Sequence, residues 1–517
     1  MKKLLCIALS LVLLTGCTAA PAQTTGPAAG EVLIELSDQG VTFDGEGVHT
    51  ANDIIYYEEG HDETYGEGET WQAHSAEEAA AHTVVHITKP GTYRITGSLS
   101  AGQIAVDLGE EAKDDPAAAV VLILDNADIT CTVAPAVIFY NVYESGVADG
   151  PAGAHVLLAK DSENHVAGSH VAKIYEPGTE DKLHKYDGAF YSRMSMNIDG
   201  TGKLHIEADN EGLDSEMHLT IDGGDISIES GNDGINTNED GVSVTTINGG
   251  HLRISVTGTT GEGDGIDSNG WLIINGGTVE AFACGTSGDA GIDSDMGISI
   301  NGGTVCAAGN MLDRIEDLSQ THLVFTFAQP QQSAVYTLKA PDGTVAAEVT
   351  PANPFQILIL SAPELAEGNY TLWSGDTQFE GMAGQSGGPG GHFGGAQIIE
   401  RPEWPGKGEG GDVEIPPQPT NPVVTHGTVQ PPATGEQPAD MPVAQFPEGS
   451  QGQMPVPPMP QEGGNMPMPQ LPGGVTPPAD GFQGKPSGGM TILTGVLSTD
   501  FPVTTGANYY MDVKPVE

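Results

Sequence analysis

A tetrad of Ile, then Asp or Asn, then two glycines recurs through the middle of the chain, and no other feature restricts the fold as strongly. Copies stand at Ile221-Asp222-Gly223-Gly224, Ile247-Asn248-Gly249-Gly250, Ile274-Asn275-Gly276-Gly277 and Ile300-Asn301-Gly302-Gly303, after a degenerate Ile198-Asp199-Gly200-Thr201-Gly202. From 198 to 221, 247, 274 and 300 the steps are 23, 26, 27 and 26 residues. A unit this short, holding only brief strands and glycine turns, can bury its apolar face only against the next unit, which makes it one coil of a β-solenoid. Two glycines per unit exclude helical repeats of similar length. Alternation along the strands points Leu219, Ile221, Ile226 and Ile228 inward, with Leu272, Ile274, Val279 and Ala281 as their equivalents.

Each coil carries a second, acidic punctuation. It reads Asp209-Asn210-Glu211-Gly212-Leu213-Asp214-Ser215, then Asn232-Asp233-Gly234-Ile235-Asn236-Thr237, Asp264-Gly265-Ile266-Asp267-Ser268 and Asp289-Ala290-Gly291-Ile292-Asp293-Ser294-Asp295. Matching positions on successive coils lie about 4.8 Å apart. Carboxylates that close repel by roughly 3 kcal/mol at an effective dielectric near 20, so a ladder of them needs cations, hydrogen-bond donors or raised pKa values. Asp209, Asp214, Asp233, Asn236, Asp264, Asp267, Asp289, Asp293 and Asp295 are therefore candidate metal ligands, and an all-oxygen donor set favours calcium. Asp and Asn also suit turn geometry without any metal.

The flanking zones differ in composition. Residues 31 to about 135 alternate as strands, and the acidic coils follow to 310, giving a predicted domain over 31–310. Residues 319–376 lack the tetrad and read as a small β-sandwich, with Leu323-Val-Phe-Thr-Phe and Phe355-Gln-Ile-Leu-Ile-Leu among their strands. Residues 381–489 hold most of the 36 prolines and are expected to be a disordered Pro/Gly/Met-rich linker, while 490–517 alternate again as a C-terminal strand segment. The predicted class is all-β, a right-handed parallel β-helix with an appended sandwich.

At the N-terminus, Lys2-Lys3 and the apolar run Leu4–Leu14 form a signal segment over 1–16, too short to span a membrane. It ends in Leu14-Thr15-Gly16-Cys17, which resembles the lipobox of bacterial lipoproteins and implies lipidation of Cys17, with residues 17–30 as a tether. The expected location is the outer face of the bacterial cell membrane, reached through that anchor. A formal charge of -52 argues against nucleic acid as a partner. No cysteine pair has C-x-x-C spacing and the histidines stand singly, so zinc finds little support in the sequence.

Several stretches together resemble the clostridial cadherin-like carbohydrate-binding family, formerly a domain of unknown function and built as a polysaccharide-lyase-like right-handed β-helix. They are Gly91-Thr-Tyr-Arg-Ile-Thr-Gly-Ser-Leu99, Gly102-Gln-Ile104, Val121-Leu-Ile-Leu-Asp-Asn-Ala-Asp-Ile129, Ile198-Asp-Gly-Thr-Gly202 and the repeated Asp-Gly-Ile-Asp-Ser and Ile-Asn-Gly-Gly units. The resemblance covers roughly 31–310 and implies calcium in the turns and affinity for plant cell-wall glucan or pectin, without catalysis. Asn236 departs from it by placing an amide where a carboxylate is expected. A structural or adhesive surface lipoprotein is the alternative, and a pectate-lyase-like enzyme a further one. A lyase needs a cationic base near its calcium, whereas residues 196–310 contain only Lys203 and Arg253, and Arg253 faces outward between Leu252 and Ile254. A polygalacturonase would show Gly-His-Gly and Arg-Ile-Lys segments, which are absent. Trp271, directly after an acidic turn, is the candidate sugar-stacking aromatic.

Overall fold

The computed structural model describes residues 30–52, 76–169, 174–175, 182–184, 187–313, 315–316, 320–384 and 496–516. Among the described residues the chain is all-β apart from a short helix, Ala76–Ala80, and a 3-10 turn, Glu110–Asp114. Among the described residues the repeats build three parallel ladders. The first joins Ala154–Leu158, Met196–Gly200, Leu219–Ile221, Val244–Ile247, Trp271–Ile274 and Gly297–Ile300. The second joins Glu163–Gly168, Lys203–Ala208, Asp225–Ser230, His251–Val256, Thr278–Phe282 and Thr304–Gly309. The third joins Thr83–Ile87, Gly102–Asp107, Val137–Asn141, Gly188–Ser192, Glu211–Ser215, Ile235–Thr237 and Ile266–Ser268.

The tetrad is legible in this register. Its isoleucines pair in one column, Ile198, Ile221, Ile247, Ile274 and Ile300, and all are buried. The next position forms an amide ladder: Asn248 Nδ2 donates to Asp222 Oδ1 at 2.8 Å, Asn275 to Asn248 at 2.9 Å and Asn301 to Asn275 at 2.9 Å. Side chain thus pairs with side chain where the turn leaves the strand ladder. The last glycine must adopt a left-handed backbone, with φ of 80° at Gly250, 78° at Gly277 and 79° at Gly303. A Cβ at Gly250 would stand 2.6 Å from Gly224 O, so the turns also stack too closely for a side chain. Gly250→Ala combines left-handed strain with overpacking and is expected to cost about 2–4 kcal/mol, read as a lower urea midpoint. An unshifted midpoint would show that the turn is free to move.

The largest sheet is mixed, because antiparallel strands join the ladders at their C-terminal end. Phe355–Ser361 pairs antiparallel with the last repeat strand, Thr304–Gly309, and with His322–Gln331. Ala507–Pro515 runs parallel to His322–Gln331 and antiparallel to Thr377–Gly384. The last of these strands continues past residue 381, the expected start of the linker. The repeats enclose an aliphatic core. The terminal strands share another, in which Phe325, Phe327, Tyr336, Phe355, Phe379, Phe501 and Tyr510 pack mostly edge to face. The signal segment, Cys17, the tether up to residue 29 and residues 385–495 lie outside the described residues.

Candidate functional site

The acidic turns enter the third ladder, so their register is fixed by the apolar residues between the polar ones. Leu213, Ile235 and Ile266 pair in sequence, and Ile266 bridges to Ile292. All four are fully buried. That column carries a second one beside it, in which Asp214 pairs with Asn236 and Asn236 with Asp267; Asp293, next to Ile292, extends it. Two residues before the apolar column stand Glu211, Asp233 and Asp264. Asp214, Asp233, Asp264 and Asp293 are all buried, Asp267 half-buried.

The row divides chemically. In its upper part, amides meet carboxylates: Asn236 Nδ2 donates to Glu211 Oε1 at 2.9 Å and Asn238 Nδ2 to Asp214 Oδ1 at 2.8 Å. The opposite ends of these amides, Asn236 Oδ1 and Asn238 Oδ1, are buried and accept no hydrogen bond from the protein. In the lower part no amide intervenes. One carboxylate oxygen each from Asp264, Asp267 and Asp293 lies within 4.8 Å of the others. Backbone N–H groups hold part of this cluster, since Asp264 N–H donates to Asp233 Oδ1 and Ala290 N–H to Asp264 Oδ1, both at 2.6 Å. Burial, then the neighbouring charges of Asp293, Asp233, Asp267 and Asp289, push the Asp264 carboxyl well above the usual carboxylate range.

Such a cluster suits a hard cation. Calcium binds oxygen at 2.3–2.6 Å, so oxygens on opposite sides of one ion lie up to about 5 Å apart, and the three carboxylate oxygens, all within 4.8 Å of one another, fall inside that limit. The donor set has no nitrogen or sulfur, and the unanswered amide oxygens upstream are neutral acceptors of the kind such ions also take.

The remaining sequence candidates sit differently. Asp289 Oδ2 accepts from Gly263 N–H at 2.7 Å and Ser287 Oγ at 2.5 Å, tying one turn to the next. Asp295 is exposed, one step beyond the Ser268–Ser294 level. Asp209 is exposed and accepts from Ser169 Oγ at 2.6 Å, whereas Glu211, which is not among the candidate ligands above, holds the position equivalent to Asp233. The signal for Glu211 was the glycine that follows it, as glycine follows Asp233 and Asp264. Trp271 is half-buried with its indole nitrogen shut off from solvent. Asn238 lies two residues past Asn236 and carried no motif of its own. Arg253, the base considered for a lyase, is engaged elsewhere: Nη1 binds Glu280 Oε2 at 2.8 Å and the guanidinium lies 5.0 Å from the Phe282 ring centre.

A family model described as "Carbohydrate-binding domain-containing protein" matches residues 81–362, more than half of the chain. A carbohydrate-binding domain-containing protein of Acetivibrio thermocellus is 31% identical over 147 residues, 28% of this chain and 45% of the relative. The chain therefore spans less than half the length of that relative. Among solved structures, the polysaccharide lyase-like protein from C. thermocellum, as a gadolinium derivative, is similar at 24% identity with a TM-score of 0.34, covering 53% of this chain and 93% of that one.

Proposed function

This chain belongs to the family of carbohydrate-binding domain-containing proteins, and from that premise we propose a non-catalytic, calcium-dependent polysaccharide-binding protein at the bacterial cell surface. The repeat zone is read as a right-handed parallel β-helix, a reading supported by the three in-register ladders. Plant cell-wall glucan or pectin is the proposed ligand class. The lipobox-like Leu14-Thr15-Gly16-Cys17 supports a lipid anchor on Cys17.

The observation that carries the reading is the Asp264, Asp267 and Asp293 cluster. These residues would hold the ion, with Asp233 beside them. A bound calcium supplies positive charge and open coordination positions to sugar oxygens. At a net charge of -52 the chain repels an acidic glycan, so contact with pectin has to run through such cations. Between 196 and 310 the basic residues are Lys203 and Arg253, and neither is placed at the cluster as a base: Lys203 pairs with Glu163 at 2.9 Å and Arg253 with Glu280. Trp271 is a second contact, for a neutral glucan.

The test is co-sedimentation of the protein with insoluble pectin and cellulose, in millimolar calcium and in EDTA. Retention is expected in calcium, falling at least tenfold in EDTA on pectin, with no unsaturated sugar released. Retention on cellulose that survives EDTA would move the ligand contact to Trp271. Equal recovery in the supernatant from every matrix in both buffers would leave only a structural or adhesive role.

A further inference from the structure

The histidines that stand singly in the sequence do not stand singly in the fold. The second ladder pairs His165 with His205, forty positions apart, and continues to Asp128 on one side and Ser227 on the other. Leu204 and Ile206 are buried, so His205 between them faces out of the core, as does His165. Their rings stack with centres 5.5 Å apart and planes 18° from parallel. Glu207 lies beside both.

The hydrogen bonds give this group a direction. His165 Nδ1 lies 3.0 Å from Asp128 Oδ1, and His205 Nδ1 lies 2.9 Å from Ser227 Oγ. With both Nδ1 atoms so engaged, the Nε2 atoms turn to one carboxylate: His205 Nε2 is 3.1 Å from Glu207 Oε1, and His165 Nε2 is 3.7 Å from Glu207 Oε2. One ligand atom from each of the three residues lies within 4.8 Å of the others. Two imidazoles and a carboxylate, with each imidazole oriented through its other nitrogen, form a donor set for a transition metal rather than for calcium. Ion pairing of protonated imidazoles alone would set two like charges face to face on neighbouring strands, which a shared metal does not require.

We propose that His165, His205 and Glu207 bind a divalent transition-metal ion, zinc in the first instance, with Asp128 and Ser227 as positioning residues. Zinc binds nitrogen and oxygen at about 2.0–2.2 Å in a tetrahedron, so its ligands lie roughly 3.3–3.6 Å from one another. The Glu207 oxygens lie 3.1 Å from His205 Nε2 and 3.7 Å from His165 Nε2, close to that separation, and the side chains are a third or more exposed. Three protein ligands leave a fourth position facing solvent on the flat outer surface of the ladder. Because the donor set contains imidazole nitrogen, the site is chemically separate from the all-oxygen cluster on the third ladder.

The test uses the full chain, stripped with chelator and then held in millimolar calcium so that hard-cation sites are filled before zinc chloride is titrated in a calorimeter. The wild type is expected to take up one more zinc ion than His205→Ala, and Asp128→Asn is expected to weaken that ion about 10–100-fold. Cobalt gives a second readout, through visible absorption bands of a nitrogen-ligated ion that are lost in His165→Ala. Melting without zinc checks that each variant is folded, and Glu207→Gln replaces any that is not. Zinc stoichiometry and affinity unchanged in His165→Ala, His205→Ala and Glu207→Gln would overturn the proposal.

Discussion

In millimolar calcium the protein is expected to melt roughly 5–10 °C higher than in EDTA. The cluster of Asp264, Asp267 and Asp293 sets carboxylates close together in a buried row, with Asp233 and Asp289 adding to the charge felt at Asp264. An ion that binds only the folded state stabilises it by about 2.7 kcal/mol at a hundred times its dissociation constant. For domains of some 150–250 residues each kcal/mol moves the midpoint by about 2–4 °C. Magnesium at the same concentration should shift the midpoint less, since it demands near-octahedral geometry and keeps its water. Superimposable melts in calcium and EDTA would remove the metal from the proposed function.

The repeat made the all-β character legible because its period, glycines and alternating apolar residues are each set by local physics. Ile221, Ile247, Ile274 and Ile300 fall in one column because each begins the same turn. The asparagines of the tetrad are visible as turn residues, yet their ladder of side-chain hydrogen bonds depends on the pairing of successive repeats, which no single turn encodes. The acidic row was legible as a row. Its division was not: Asn236 reads as a weakened ligand, while in the fold its amide answers Glu211. The mixed character of the largest sheet also escaped the sequence, because Phe355–Ser361 gives no local sign that it closes the repeat ladder. His165 and His205 lie on adjacent paired strands but forty positions apart, outside the 23–27-residue period, so no periodic signal links them.

Replacing Asp264 by asparagine is expected to change the sign of its effect with the metal. Without calcium, burial and the charges of Asp293, Asp233, Asp267 and Asp289 disfavour the ionised carboxylate and raise its pKa. A carboxyl whose folded-state pKa is raised binds its proton more tightly when folded. Its contribution to stability is present below the unfolded value near 3.8 and is lost as pH rises through the folded value. The metal-free wild type should therefore lose stability from this group as pH rises above about 4 toward the raised folded value. Asp264→Asn removes the charge while keeping an oxygen that can accept the Ala290 N–H bond. In EDTA at pH 7 the variant should melt above the wild type, and the gap should shrink toward pH 4. In millimolar calcium the order should reverse, because a charged ligand is gone; a tenfold loss of calcium affinity alone is about 1.4 kcal/mol. A variant that melts below the wild type in both buffers would assign Asp264 to holding the turn at Ala290. One that melts above it in both would mean that the carboxylate cluster holds no calcium.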